Sequence, residues 1–247
     1  MEMKIPQMKI ISIGNSFSQD AQRWLKKLAE QNGIDLDCVN LYIGGCSLEM
    51  HWNNIAGNKA DYDFEPNGEG SMGKISVNDA LSRDKYDIIT LQQASGLSGR
   101  PQSYLPYLDD IAAFAREMQP EARLYFHQTW AYETDSVLAA FADYDLDQKE
   151  MYRRIEDASE MASKLIGAEI IPTGRIIQRL RETLPEFDYK NGGLSLNRDG
   201  FHLSLDYGRY AAAAVWLYTF TGCKIKAAEF ENFDLNLLSK IIKTVTG

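Results

Sequence analysis

A chain of 247 residues can bury a substantial core, and 45% hydrophobic against 25% charged residues is the balance of a soluble globular protein. The formal charge of -9 leaves no basic surplus to neutralise phosphates, which argues against nucleic acid or an anionic membrane as partner. Three scattered cysteines (Cys38, Cys46 and Cys223) make neither a disulfide framework nor a zinc pattern and point to a reducing, cytoplasmic setting.

The polar stretch Met1 to Lys9 lacks the apolar segment of a secretory signal, and no apolar run approaches the ~20 residues that span a bilayer. Five short apolar segments read as buried strands: Lys9 to Ile13, Asp37 to Ile43, Asp87 to Leu91, Arg123 to His127, and Ala168 to Ile171. Helical patterns lie between most of them, which predicts a parallel sheet covered on both faces. The first segment ends in Gly14-Asn15-Ser16, and from about Asp20 a helical pattern carries Ala21, Trp24, Leu25, Leu28 and Ala29 to a stop at Asn32-Gly33. A hydroxyl in such a strand-to-helix turn sits beside free helix N–H groups, an arrangement suited to attack on a carbonyl and stabilisation of an oxyanion. The same tripeptide also makes an ordinary turn and N-cap.

The second strand runs into Gly44-Gly45-Cys46-Ser47, which is either a tight turn into a helix near Leu48 or a backbone N–H aimed at a site. His51 and Trp52 on that helix read as a packed edge. Asn53 to Asp79 is irregular and glycine-rich, and Pro66-Asn67-Gly68 between Tyr62-Asp63-Phe64 and Lys74-Ile75-Ser76 predicts an inserted hairpin. The third strand ends in Gln92-Gln93-Ala94-Ser95, whose amides can donate to an oxyanion without titrating or can serve as turn amides. A helix over Tyr104 to Met118 follows. The fourth strand then leads to His127-Gln128-Thr129-Trp130-Ala131-Tyr132, which together resemble a pocket wall for a polar organic ligand. Further helices are expected over Asp147 to Leu165, Arg175 to Leu184, Leu205 to Thr221 and Phe233 to Val245.

Between the fifth strand's helix and the helix from Leu205 lies Asn197-Arg198-Asp199-Gly200-Phe201-His202. In a tight turn a carboxylate three residues before an imidazole can meet one ring nitrogen and leave the other facing outward, which is the base-and-orienter half of a serine hydrolase site. Three histidines and no carboxylate cluster at matching spacing give no metal site, and no cofactor is implied. The chain has neither Gly-x-Gly-x-x-Gly nor a Walker pattern for a nucleotide phosphate.

Taken in order, Gly14-Asn15-Ser16-Phe17-Ser18, the glycines after strand two, the amides after strand three and Asp199-x-x-His202 resemble the SGNH (GDSL-like) hydrolase superfamily. Within it they are similar to the DUF4886-type group over about residues 8 to 222. The resemblance implies one flavodoxin-like α/β/α sandwich over residues 1–247, with a five-stranded parallel sheet, an insertion around 53–79 and the site at the carboxyl ends of the strands. It makes Ser16 the nucleophile, His202 the base and Asp199 its orienter, with the N–H groups of Ser16 and Gly45 (or Gly44) in the oxyanion hole. The superfamily's third donor, an asparagine in a Gly-x-Asn block, has no counterpart here. Gln92 is the expected substitute, with Gln93 and Ser95 as alternatives, and Asn15 replaces the aspartate of Gly-Asp-Ser. Gly44, Gln93, Ser95, His127 and Trp130 are the expected substrate contacts. The expected activity is hydrolysis of a small-molecule or carbohydrate ester, with a short acyl group preferred. The alternatives are a lipid or thioester acylhydrolase and a non-catalytic carbohydrate-binding protein.

Overall fold

The computed structural model describes residues 7–247; the first six residues of the polar N-terminal stretch lie outside them. Among the described residues seven strands form one sheet in the order β4-β3-β2-β1-β5-β6-β7, where β1 is Met8–Gly14, β2 Leu36–Tyr42, β3 Tyr62–Pro66, β4 Lys74–Ile75, β5 Ile88–Leu91, β6 Arg123–His127 and β7 Glu169–Ile171. The five expected strands are all present and run parallel, β1 pairing with β2 from Met8↔Leu36 to Gly14↔Tyr42 and with β5 from Ile10↔Ile88 to Ile13↔Leu91.

The expected five-stranded sheet is therefore corrected to seven. The two additional strands are the inserted hairpin, which docks antiparallel on β2 through Val39↔Pro66 to Tyr42↔Asp63. Their mixed composition, Tyr62-Asp63-Phe64-Glu65-Pro66 and Lys74-Ile75, carries no buried-strand signature because both lie at the sheet margin, where one side meets water. Glu65 nevertheless turns inward, accepting from Gln19 at 2.8 Å and Asn40 at 2.9 Å, which ties the insertion to the segment after β1.

Alternation along the central strands divides the core. Ile10, Cys38, Ile88 and Tyr125 face one layer, made by α1 (Ser16–Gln22), α2 (Leu25–Gln31), α7 (Thr173–Thr183), α8 (Tyr207–Thr221) and α9 (Leu235–Thr246). Ile11, Leu41, Ile89, Leu124 and Phe126 face the other, made by α3 (Leu48–Ala56), α4 (Val77–Arg83), α5 (Tyr107–Met118) and α6 (Gln148–Ile166). Helix α8 is buried almost all round because α9 covers the side turned away from the sheet; its Ala211 to Ala214 run lets the backbones approach closely. Among the described residues no helix is long and apolar enough to cross a membrane.

The helix expected from Asp20 is two helices. The first begins at Ser16 itself, and the chain breaks at Arg23 and Trp24 before α2. This early start matters because it makes Ser16 a helix-terminal residue.

Candidate active site

Strand β1 is the centre of the sheet, and its carboxyl end delivers Asn15 in extended geometry (φ -147°) as the N-cap of α1. Asn15 Oδ1 accepts from the Phe17 N–H at 3.0 Å, and Ser18 Oγ returns the bond by accepting from the Asn15 N–H at 3.0 Å. A Cβ at position 14 would lie 1.9 Å from Ser18 Oγ, so only glycine admits this closed turn. Ser16 is then the first residue of α1, its N–H has no partner within the helix, and its Oγ lies 2.9 Å from His202 Nε2.

The residues around His202 form a tight loop closed by an Asn197↔Leu203 bridge. Asp199 Oδ1 accepts from the backbone N–H groups of His202 (2.8 Å) and Phe201 (3.2 Å), while Oδ2 lies 2.7 Å from His202 Nδ1. Burial raises the Asp199 carboxyl's pKa, but the bonds from the His202 ring and these backbone groups outweigh it and hold the carboxyl below the usual range. A carboxylate at Nδ1 keeps the proton on that nitrogen and leaves the Nε2 lone pair facing the Ser16 hydroxyl.

A second carboxylate, missed in the sequence, joins the two halves. Asp20, one turn after Ser16, is fully buried and accepts from Arg198 (3.0 and 3.1 Å), from Arg209 Nε (2.8 Å) and from the Leu203 N–H (2.8 Å). It thus grips both flanks of the Asp199–His202 turn from the helix that carries Ser16. The available signal was its position: Phe17, Ala21 and Trp24 put Asp20 on the apolar stripe, where a carboxylate needs a cation.

A cavity of about 270 Å³ opens over Ser16 and His202. Its walls are Asn15, Phe17 and Phe201, then Tyr42, Gly44 and Gly45 from the end of β2, and Ser95 after β5. Gly45 takes a positive φ of 65°, and its N–H has no hydrogen-bond partner among the described residues.

The other expected contacts are not on this wall. Gln92, expected as the third oxyanion donor, is 1% exposed; its Nε2 donates to Asn15 Oδ1 at 2.6 Å and its Oε1 lies 2.7 Å from His127 Nδ1. His127 is fully buried and continues to Thr173 Oγ1 at 3.0 Å; burial pushes its pKa down to about 3. Gln93 accepts from the Leu48 and Ala94 N–H groups and donates to Ser103. Trp130 stacks on Phe17 (centroids 4.1 Å apart) and donates from Nε1 to the Phe201 carbonyl at 2.7 Å. Full burial takes Gln92, Gln93, His127 and Trp130 out of reach of a ligand and makes them supports, because buried amides, imidazoles and indoles must spend their polar atoms on internal partners. A larger cavity of about 540 Å³, bordered by Glu133, Gln178, Arg181 and Tyr189, contains neither Ser16 nor His202.

The chain aligns with a DUF4886 family protein from Bacteroides uniformis ATCC 8492 at 36% identity, covering 98% of this chain and 94% of that one, with a TM-score of 0.90. A putative SGNH hydrolase from Slackia heliotrinireducens shares the fold at 21% identity and TM-score 0.60, over 87% of this chain and all of that one. So does a catalytic mutant of Axe2, an acetylxylan esterase from Geobacillus stearothermophilus, at 13% identity and TM-score 0.50, over 88% and 94% of the two chains. No curated protein gives a significant match. The profile of DUF4886, a domain of unknown function, spans residues 9–243, and the chain accordingly belongs to the DUF4886 family and is built on the SGNH hydrolase fold.

Proposed function

We propose that the protein is a serine esterase that removes a short acyl group, acetyl above all, from a carbohydrate. The observation that carries this reading is the continuous relay Ser16 Oγ–His202 Nε2 (2.9 Å) and His202 Nδ1–Asp199 (2.7 Å), open to a cavity whose wall includes the unpartnered Gly45 N–H. Ser16 attacks the ester carbonyl as its proton passes to His202 Nε2, and Asp199 stabilises the imidazolium. The N–H groups of Ser16 and Gly45 hold the oxyanion. Collapse of the tetrahedral intermediate returns the proton to the departing alcohol and leaves an acyl group on Ser16. Water, deprotonated by the same Nε2, then releases the acid and restores the serine.

The cavity supports the choice of acyl group, since about 270 Å³ is at the lower limit of small-molecule pockets and suits acetyl better than a fatty chain. The rings of Tyr42 and Phe201 at its wall offer a stacking face for a sugar. The acetylxylan esterase that shares the fold acts on a substrate of this kind.

The test uses p-nitrophenyl acetate, p-nitrophenyl octanoate and a fluorophosphonate probe. Turnover of the acetate and probe labelling are expected in the parent, with Ser16→Ala lowering kcat by roughly 10⁴-fold or more and abolishing labelling. A Ser16→Ala protein that labels and turns over like the parent refutes the assignment, and octanoate cleaved faster than acetate refutes the acyl preference.

A further inference from the structure

We propose that Ser95, its hydroxyl oriented by the buried phenol of Tyr132, is the third donor to the oxyanion, in the place expected of Gln92. The proposal rests on the esterase reading. It follows from which polar hydrogens on the cavity wall are still free. The Asn15 side chain, only 1% exposed, spends one amide N–H on the Cys46 carbonyl (3.1 Å), and its oxygen receives two bonds. His202 and Ser16 are occupied with each other and with Asp199. Gln92 is off the wall altogether. Two side-chain hydroxyls remain, those of Tyr42 and Ser95.

Ser95 has a partner that fixes its role. Its Oγ lies 2.9 Å from the hydroxyl of Tyr132, a residue 2% exposed, and this is the one hydrogen bond of the Tyr132 hydroxyl among the described residues. Each of the two hydroxyls has one proton, and only one of them bridges the pair. If Ser95 donated, the Tyr132 proton would be buried with no acceptor, which is the costly outcome for a polar hydrogen. Tyr132 therefore donates, and Ser95, half-exposed on the cavity wall, keeps its own O–H for a ligand. Accepting a bond from a phenol also polarises that O–H and strengthens it as a donor.

Topology puts this donor on the correct side. The neighbours of β1 are β2 and β5, so Gly45 after β2 and Ser95 after β5 flank the Ser16 turn from opposite sides. The turn bearing Ser95 (Ser95–Leu97) is fixed: Tyr144 donates to the Gly96 carbonyl at 3.0 Å, and a Cβ at Gly96 would meet Ala140 at 2.9 Å. A donor held in advance of the reaction is what stabilises developing charge without reorganisation.

The experiment measures kcat and KM for p-nitrophenyl acetate in the full chain and in Ser16→Ala, Ser95→Ala, Ser95→Thr, Tyr132→Phe, Tyr42→Phe and the Ser95→Ala/Tyr132→Phe pair, each below its melting transition. Ser95→Ala is expected to lower kcat about 10²-fold with KM changed less than about three-fold, since the bond is made mainly in the transition state. Ser95→Thr retains a hydroxyl and is expected to recover most of the rate. Tyr132→Phe is expected to cost about ten-fold alone and nothing further in the Ser95→Ala background, the signature of action through Ser95. An active parent whose kcat survives Ser95→Ala, or loses as much in Tyr42→Phe, overturns this proposal and leaves the esterase reading standing. A parent no faster than Ser16→Ala overturns both.

Discussion

Two sets of polar residues sit at the same edge of the sheet and have opposite fates. On the β1–β2 side, Ser16, Gly44 and Gly45 border open space, and His202 reaches over from the loop before α8 to join them. On the β5–β6 side, Gln92 and His127 are turned inward and consume their polar atoms on Asn15, on each other and on Thr173. The two imidazoles sharpen the contrast. His202 is held at Nδ1 by a carboxylate and presents Nε2 to a hydroxyl at the cavity, whereas His127 is closed at both nitrogens and fully buried. Residue type is the same on both sides. What separates the two imidazoles is whether a ring nitrogen faces the cavity.

The strongest way to break that distinction is to remove each histidine. His202→Ala is expected to lower kcat on p-nitrophenyl acetate by roughly 10⁴–10⁶-fold with little change in melting temperature. His127→Gln is expected to do the reverse, costing about 2 kcal/mol of stability through unpaired buried groups and less than about ten-fold in rate. Equal losses of activity from the two would erase the difference. Next in size is the clamp between the halves. Asp20→Asn takes the buried carboxylate away from Arg198 and Arg209 and is expected to cost about 3 kcal/mol in denaturant melts. It is also expected to lower kcat about 10²-fold by loosening the His202 loop, since small misplacement of a catalytic group is expensive. Parental kcat in a destabilised Asp20→Asn would detach the clamp from catalysis.

A further contrast concerns pH dependence, through the two buried histidines. Burial pushes both His51 and His127 down to about 3 from an ordinary 6.5. Between those values the unfolded chain binds protons that the folded chain refuses, so stability is full above pH 6.5 and is lost as pH falls toward 3. By pH 5 the loss is about 2 kcal/mol per histidine. Replacing both by glutamine is expected to flatten the fall of melting temperature between pH 7 and 5; an unchanged slope would show that other groups drive it.

The parts of the site that were legible in sequence were those whose geometry is local. Gly14-Asn15-Ser16 needs only a strand end and a helix start, and Asp199 reaches His202 within one turn. The choice among Gln92, Gln93 and Ser95 for the proposed third donor was not legible. Ile88 to Leu91 are buried on both faces, so no alternation signals which way Gln92 or Ser95 points once the strand ends. Trp130 and His127 read as a pocket wall because composition carries no information about which side of a loop is packed. Asp20 could be suspected from its place on an apolar stripe, but its partners lie 178 to 189 positions away in the chain. The hairpin was visible as a turn, while its docking on β2 depends on a strand edge that only the assembled sheet provides.

That docking has a consequence for how the protein behaves among copies of itself. Left bare, β2 would offer seven residues of unpaired backbone along one margin of the sheet; with the hairpin in place the outermost strand is Lys74–Ile75, two residues long, and the opposite margin is the three-residue β7. Neither is long enough to template the addition of a foreign strand, so the insertion acts as an edge guard against edge-to-edge aggregation.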